Sequence, residues 1–443
     1  MKNILLVYPP FCTPASPPYS ITYLYSFLKN NCKENIEVLD LNIEFHKKEF
    51  PTYQKYYQKK EWGNYGKTTK EYIQLTKQLY SKNNKKVINN EKPGQLNDLI
   101  KKIKDKKPDI VAFSIVYSSQ AFYAYALIKE LKGIITIVGG PSVNEKLENI
   151  STIKLNNEIE LLNYIKKTEK FKLEFPLDFS IYNLNEYFTP RPIIPLKTTS
   201  TCYYKQCTFC THFSKTPYYE FPLDKIKETI IKSKQKYFFL IDDMIPTKRL
   251  LELAATLKPL NIFWTCQLRP TKDLTYETLK KLRESGLTML MLGIESGNQR
   301  ILNLINKGTN KEDIAKVLED SHNAWIKNIA YMLFGFPTET KDEFLETIEF
   351  LKDNEKNIDL VSTSIFGLQK GTVIYNNPEK FGITEITEEP RTILGPKLSY
   401  KVKSGLTQKQ AKELRQNYKR TIEKINKYPH EMNFFREHMF CLV

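Results

Sequence analysis

A chain of 443 residues carrying a net charge of +17 is too long for one ordinary domain and long enough for two with well-buried cores. No apolar run approaches the roughly 18 residues that cross a bilayer, and Asn3-Ile4-Leu5-Leu6-Val7 runs straight into Pro9-Pro10 without a signal-peptide core, so a soluble, cytoplasmic chain is expected. Seven cysteines, an odd number with three crowded into nine positions, argue against a disulfide framework and for metal chemistry; Cys12, Cys32, Cys266 and Cys441 read as plain thiols.

Residues 1–170 show short β-branched runs at 3–8, 36–39, 110–113 and 134–138, separated by helix-length patterns such as 20–30 and 120–131. That rhythm predicts parallel strands with crossover helices, a doubly wound (Rossmann-like) α/β domain whose ligand would sit beyond the carboxyl ends of its strands. Ser114 follows one strand and Gly139-Gly140 another, and glycines at a strand end let a ligand approach the backbone. Residues 47–107 hold 17 Lys against 6 Asp or Glu, so this basic insertion supplies most of the net charge. With Tyr53, Tyr56, Tyr57, Trp62, Tyr65 and Tyr72 it suits an acidic protein surface or RNA, nucleic acid being the least favoured; the plainer reading is a solvated helical insertion. His46 reads as a surface residue.

Prolines 176, 190 and 192 mark a linker over residues 171–192. From 193 to 370 a strand-then-helix unit recurs six times, with strands near 193–197, 237–241, 262–265, 289–292, 330–334 and 361–366 and helices such as 223–234, 275–285 and 341–352. Six units predict a partial (β/α)6 barrel, with chemistry at the carboxyl ends of the strands. Candidate site residues stand at five of those ends: the cysteines after the first, Asp242-Asp243 after the second, Arg269 after the third, Glu295 after the fourth, and Gly335-Phe336-Pro337 after the fifth. Residues 371–443 form a partly helical extension, with Thr407 and Gln410 as a capping pair and an apolar tail, 433–443, expected to dock against the protein.

The stretch that organises the chain is Cys202-Tyr203-Tyr204-Lys205-Gln206-Cys207-Thr208-Phe209-Cys210. Three thiolates this close, with no fourth ligand at regular spacing, suit a [4Fe–4S] cluster with one iron left open. Structural zinc would want a fourth ligand, and the nearby candidate is His212.

These residues resemble those of a radical S-adenosylmethionine enzyme of the cobalamin-binding type. The usual spacing there is C-x-x-x-C-x-x-C with an aromatic before the last cysteine, as Phe209 is; this chain has four residues between Cys202 and Cys207, like a branch with Tyr at the second position. The resemblance implies that Cys202, Cys207 and Cys210 hold the cluster while S-adenosylmethionine chelates the open iron and is cleaved to a 5′-deoxyadenosyl radical. It further implies that Asp242 and Asp243 take the amine of that cosubstrate, Glu295 its ribose and Gly335 and Pro337 its adenine, while Arg269 offers a guanidinium to a carboxylate. Ser114 and Gly139-Gly140 resemble two of three marks of a cobalamin site; the third, a histidine-bearing loop, is replaced by residues 9–18, so cobalamin without a protein lower ligand is implied. The expected function is C-methylation of an unactivated carbon, of a peptide or protein side chain, with an electron donor such as flavodoxin or ferredoxin. The alternatives are a cobalamin-free radical enzyme that oxidises, cross-links or rearranges a peptide, its first domain only packing, and an iron–sulfur binding protein without radical activity.

Overall fold

A computed structural model describes residues 1–210 and 216–442. It divides into two compact units. The first comprises residues 1–195, 224–235 and 390–396, and the second 196–223, 236–389 and 397–443.

The first unit is built on five parallel strands: β1 (Asn3–Tyr8), β2 (Asn35–Asp40), β3 (Ile110–Ser114), β4 (Ile135–Gly139) and the short β5 (Ile153–Lys154), in the order β2-β1-β3-β4-β5. β1 and β3 read as unbroken apolar runs because both faces are covered. The order reverses between β1 and β3, which opens the crevice where doubly wound sheets take ligands. Gln120 spans that crevice, donating to Pro9 O at 2.8 Å while its Oε1 accepts from Val116 N and Tyr117 N.

One expectation for this unit is corrected. His46 is buried, 1% exposed on the helix Leu41–Glu49, with Nδ1 2.9 Å from the Tyr72 hydroxyl; burial pushes its pKa down to about 3, so it is a neutral core imidazole. The aromatic residues of the insertion do not form an exposed stacking face. Tyr57, Tyr65 and Tyr72 are buried, Tyr72 packing on Phe50 at 5.2 Å and on Tyr53 at 5.1 Å. The helix Tyr65–Ile88 turns its aromatics inward and leaves lysines such as Lys70, Lys77 and Lys85 outside.

The second unit carries β6 (Ile193–Leu196), which begins at the boundary, then β7 (Tyr237–Leu240), β8 (Phe263–Leu268), β9 (Leu287–Glu295), β10 (Lys327–Phe334) and β11 (Leu360–Ile365), in the order β11-β10-β9-β8-β7-β6. Each strand lies beside the next in sequence, the order of a barrel that stops at six. An antiparallel hairpin, β12 (Ile383–Glu389) and β13 (Lys397–Val402), follows. The tail docks as expected, at the amino ends of the strands. Phe440, fully buried, meets Tyr237 at 5.5 Å, Lys327 Nζ donates to Leu442 O at 3.0 Å, and Asn433 Nδ2 donates to Val361 O at 2.9 Å. The opposite end therefore stays available for chemistry. No helix among the described residues is long and apolar enough to cross a membrane.

Candidate active site

The loop after β6 is tied down before its first cysteine. Asp242, at the end of β7, accepts from Thr198 N at 2.8 Å, Thr199 N at 2.6 Å and Thr199 Oγ1 at 2.9 Å, all through Oδ1. Burial raises its pKa, against the pull of those donors. Its neighbour Asp243 is placed differently: Oδ2 lies 3.8 Å from Lys197 Nζ, and burial raises the carboxyl to about 6, with Lys197 pulling back and Asp242 pushing further. The two acids read as one pair in sequence thus divide, Asp242 holding the backbone and Asp243 facing a lysine.

The segment between Cys202 and Cys207 is held by its aromatic residues. The Arg269 guanidinium, from the end of β8, lies 3.6 Å from the centre of the Tyr204 ring, and its Nη2 donates to the Tyr203 hydroxyl at 3.3 Å. Tyr204 donates to Asn306 O at 2.9 Å, and Asn306 Nδ2 donates to Gln206 O at 3.0 Å. Thr208 N donates to Ile305 O at 2.9 Å. Gly308, with φ +66°, makes room: a Cβ there would run into the Tyr204 hydroxyl and Arg269 Nη1. Phe209 packs against a buried cluster that includes Ile301, Ile305, Phe336 and Ile374.

The cysteines themselves range from partly buried (Cys202, Cys207) to exposed (Cys210). Burial raises the Cys207 thiol; Lys307 lowers it, and Cys210, Glu295 and Cys202 raise it, so Cys207 feels both of the other sulfurs. Among the described residues no three His, Cys, Asp or Glu side chains already converge as a metal site, and His212 lies outside the described residues.

Glu295, with φ +69°, closes β9 and is ion-paired with Lys307 at 2.8 Å, both largely buried. Burial alone would lower the Lys307 pKa, but Glu295 and Cys207 outweigh it and the ammonium is held charged. A Cβ at Gly293 would lie 2.9 Å from Lys307 Nζ, so the glycine leaves space for the pair. Lys307 was not singled out by sequence reasoning, because it follows a helix, Gln299–Ile305, instead of a strand.

At the end of β10, Gly335 (φ +73°) would place a Cβ 2.6 Å from Ala411, so this glycine also serves helix packing. Pro337 is buried beside it. Glu339, also not anticipated, accepts from Gly335 N; it is fully buried, and burial raises its pKa to about 8.

In the first unit, Ser114 donates to Ser20 Oγ at 2.8 Å. Gly140, φ +111°, would place a Cβ 2.5 Å from Ile115 O, and Gly139 one 3.1 Å from Leu155 O. Gly140 is therefore required by the sheet's own backbone, and Gly139 fits closely against it, whatever ligand the crevice takes.

Buried polar atoms without a hydrogen-bond partner gather at the carboxyl end of the second unit's strands: Thr198 Oγ1, Thr201 Oγ1, Asp242 Oδ2, Asp243 Oδ2, Arg269 Nε and Glu339 Oε1. Such atoms cost free energy unless something satisfies them, and six at one end of a sheet, on the side of the three thiols, fit a polar ligand and a thiolate-bound centre.

Residues 196–351 match the radical SAM superfamily. The bacteriochlorophyllide d C-12(1)-methyltransferase of Chlorobaculum tepidum is 26% identical over 243 residues, 50% of this chain and 53% of that protein, so the chain spans about half the length of that relative. An uncharacterized methyltransferase of Pyrococcus horikoshii is 23% identical, covering 63% of this chain and 71% of its own. In fold, the chain is similar to the cobalamin-dependent S-adenosylmethionine radical enzyme OxsB with aqua-cobalamin bound (TM-score 0.62, 16% identity, 94% of this chain, 66% of that one). It is likewise similar to the radical S-adenosylmethionine methyltransferase TsrM of Kitasatospora setae with tryptophan substrate and a SAM analog bound (TM-score 0.64, 12% identity, 95% and 89%). These likenesses give the doubly wound domain plus radical SAM barrel as the chain's architecture.

Proposed function

Residues 196–351 being a radical SAM domain, we propose that this chain is a cobalamin-dependent radical S-adenosylmethionine methyltransferase acting on an unactivated carbon. The observation that carries the reading is the cysteine loop fixed at the carboxyl end of the barrel strands, ringed by Asp243, Arg269, Glu295 and Lys307. Cys202, Cys207 and Cys210 would hold a [4Fe–4S] cluster, and the crevice between β1 and β3 a cobalamin without a protein ligand beneath the metal. When bound, the cluster and cobalamin supply one-electron cleavage of S-adenosylmethionine and a transferable methyl group.

The chain's own residues bind and orient. Asp243, whose Oδ2 makes no hydrogen bond and lies 3.8 Å from Lys197 Nζ, would take the cosubstrate's amine, and Asp242 fixes the loop through Thr198 and Thr199. Glu295, held by Lys307, would take the ribose hydroxyls, and the Gly335 to Pro337 backbone would flank adenine. The loop 9–18, braced by Phe11 against Phe45 and His46, stands where a histidine-bearing motif would be.

The substrate proposed is a peptide or protein side chain, with the extension after residue 371 and the basic insertion as the parts available to hold it, an acidic flavodoxin- or ferredoxin-like donor as electron source, and the cytoplasm as compartment. A second reading, a small planar substrate, is favoured by the names of the methyltransferase relatives, which act on bacteriochlorophyllides. The test is anaerobic reconstitution with methylcobalamin, gel filtration, and mass analysis of candidate peptides and tetrapyrroles using S-adenosylmethionine with a deuterated methyl group. Retained cobalamin and a product heavier by one labelled methyl support the proposal. A chain that retains no cobalamin yet forms 5′-deoxyadenosine would favour the cobalamin-free alternative.

A further inference from the structure

We infer that Arg269 is an electrostatic positioning residue for the cysteine loop, its unbalanced positive charge set against the negative charge of the thiolates and their cluster, and that it is not a clamp for the cosubstrate's carboxylate. This rests on the reading of the cysteines given above.

Arg269 is 9% exposed, and among the described residues no carboxylate lies within ion-pair distance of it. Buried charges are ordinarily paired, because an isolated one is strongly disfavoured by desolvation. The counter-charge must therefore come from something the site acquires. Nearby, Lys307 is already matched by Glu295 at 2.8 Å. Two cations against one carboxylate leave one positive charge over.

A carboxylate clamp needs two parallel N–H groups of the guanidinium. Here Nη1 gives one N–H to Lys307 O at 2.9 Å and Nη2 one to the Tyr203 hydroxyl at 3.3 Å, so both arms of the fork are anchored to the protein, and Nε is the one nitrogen of the group that makes no bond. The face of the group is covered by Tyr204. What the arrangement does instead is lock a charge against the segment joining Cys202 to Cys207; the Tyr204 hydroxyl feels both Arg269 and Cys207.

The extra residue between the first two cysteines gains a purpose, since Tyr203 and Tyr204 are the two side chains that Arg269 grips. Reduction of the cluster adds one electron from an external reductant and breaks no bond, so the loop becomes more negative by one charge. A fixed cation beside it stabilises the reduced form more than the oxidised one, which raises the midpoint potential.

The experiment compares the reconstituted wild type with Arg269→Met and Arg269→Lys, using dithionite titrations followed by electron paramagnetic resonance and equilibrium dialysis of S-adenosylmethionine. Arg269→Met should shift the midpoint to more negative potential while cosubstrate affinity stays within about twofold; Arg269→Lys, which keeps the charge without the fork, should stay at the wild-type potential. An unchanged potential with affinity lost by about tenfold or more, the size of a broken charge-assisted pair, would overturn the inference in favour of the clamp. Should Arg269→Met take up no iron, Arg269→Lys decides: wild-type potential supports the inference and a negative shift despite the retained charge refutes it. A wild-type chain that takes up no cluster would instead defeat the reading of the cysteines, and this inference with it.

Discussion

Asp242 Oδ1 accepts the main-chain N–H of Thr199 at 2.6 Å, so one carboxylate oxygen fastens the exit of β6 to the exit of β7. Replacing Asp242 by alanine would strand two buried N–H groups and a hydroxyl. The expected loss is about 2–4 kcal/mol of unfolding free energy, read from denaturant melts of the apo chain. Asp243→Asn should change stability by less than about 1 kcal/mol and weaken S-adenosylmethionine binding. Equal stability of the two variants would contradict the division of roles.

Gly140 adopts φ +111° with Ile115 O pressed against it. Gly140→Val should destabilise the apo chain by about 1–3 kcal/mol, before cobalamin is present. A variant as stable as wild type in thermal melts, but defective in cobalamin retention, would show that the glycine serves the ligand instead.

Glu339 titrates near 8 because it is buried, whereas an unfolded glutamic acid titrates near 4.3. The folded state thus binds this proton more tightly, so its contribution is fully present below about pH 4.3 and is lost as pH rises towards 8, at no more than about 1.4 kcal/mol per pH unit. Glu339→Gln should flatten that fall, giving a variant more stable than wild type at pH 8 relative to pH 5. Parallel stability–pH curves for the two proteins would rule this out.

Phe440 sits on Tyr237 at the amino end of β7. Phe440→Ala should cost about 3–5 kcal/mol and leave iron content per folded chain unchanged, since the cysteine loop is at the other end of the strands. Loss of iron without loss of stability would place the tail's effect at the site.

Much of this arrangement is legible in sequence because parallel strands covered on both faces must be apolar runs, and their carboxyl ends are where polar residues collect. Ile193 to Leu196, Tyr237 to Leu240 and Ala330 to Phe334 could be found that way, and the cysteines, Asp243 and Glu295 at strand ends with them. Lys307 and Glu339 could not, since each lies in a turn whose neighbours are set by tertiary contact. His46 was misjudged for the same reason: its burial depends on Tyr72 arriving from a helix that begins at Tyr65. Gly140 and Gly335 also serve packing that no local pattern reveals, since the atoms that crowd them, Ile115 O and Ala411 Cβ, are remote in sequence.

The central claim, that Cys202, Cys207 and Cys210 carry a cluster which cleaves S-adenosylmethionine, is tested most directly by measuring iron, sulfide and 5′-deoxyadenosine for the anaerobically reconstituted, reduced chain beside its triple Cys→Ala variant. About four irons and four sulfides per chain, with 5′-deoxyadenosine formed, are expected for the wild type and neither for the variant. A variant that keeps the cluster and still forms 5′-deoxyadenosine would contradict the account.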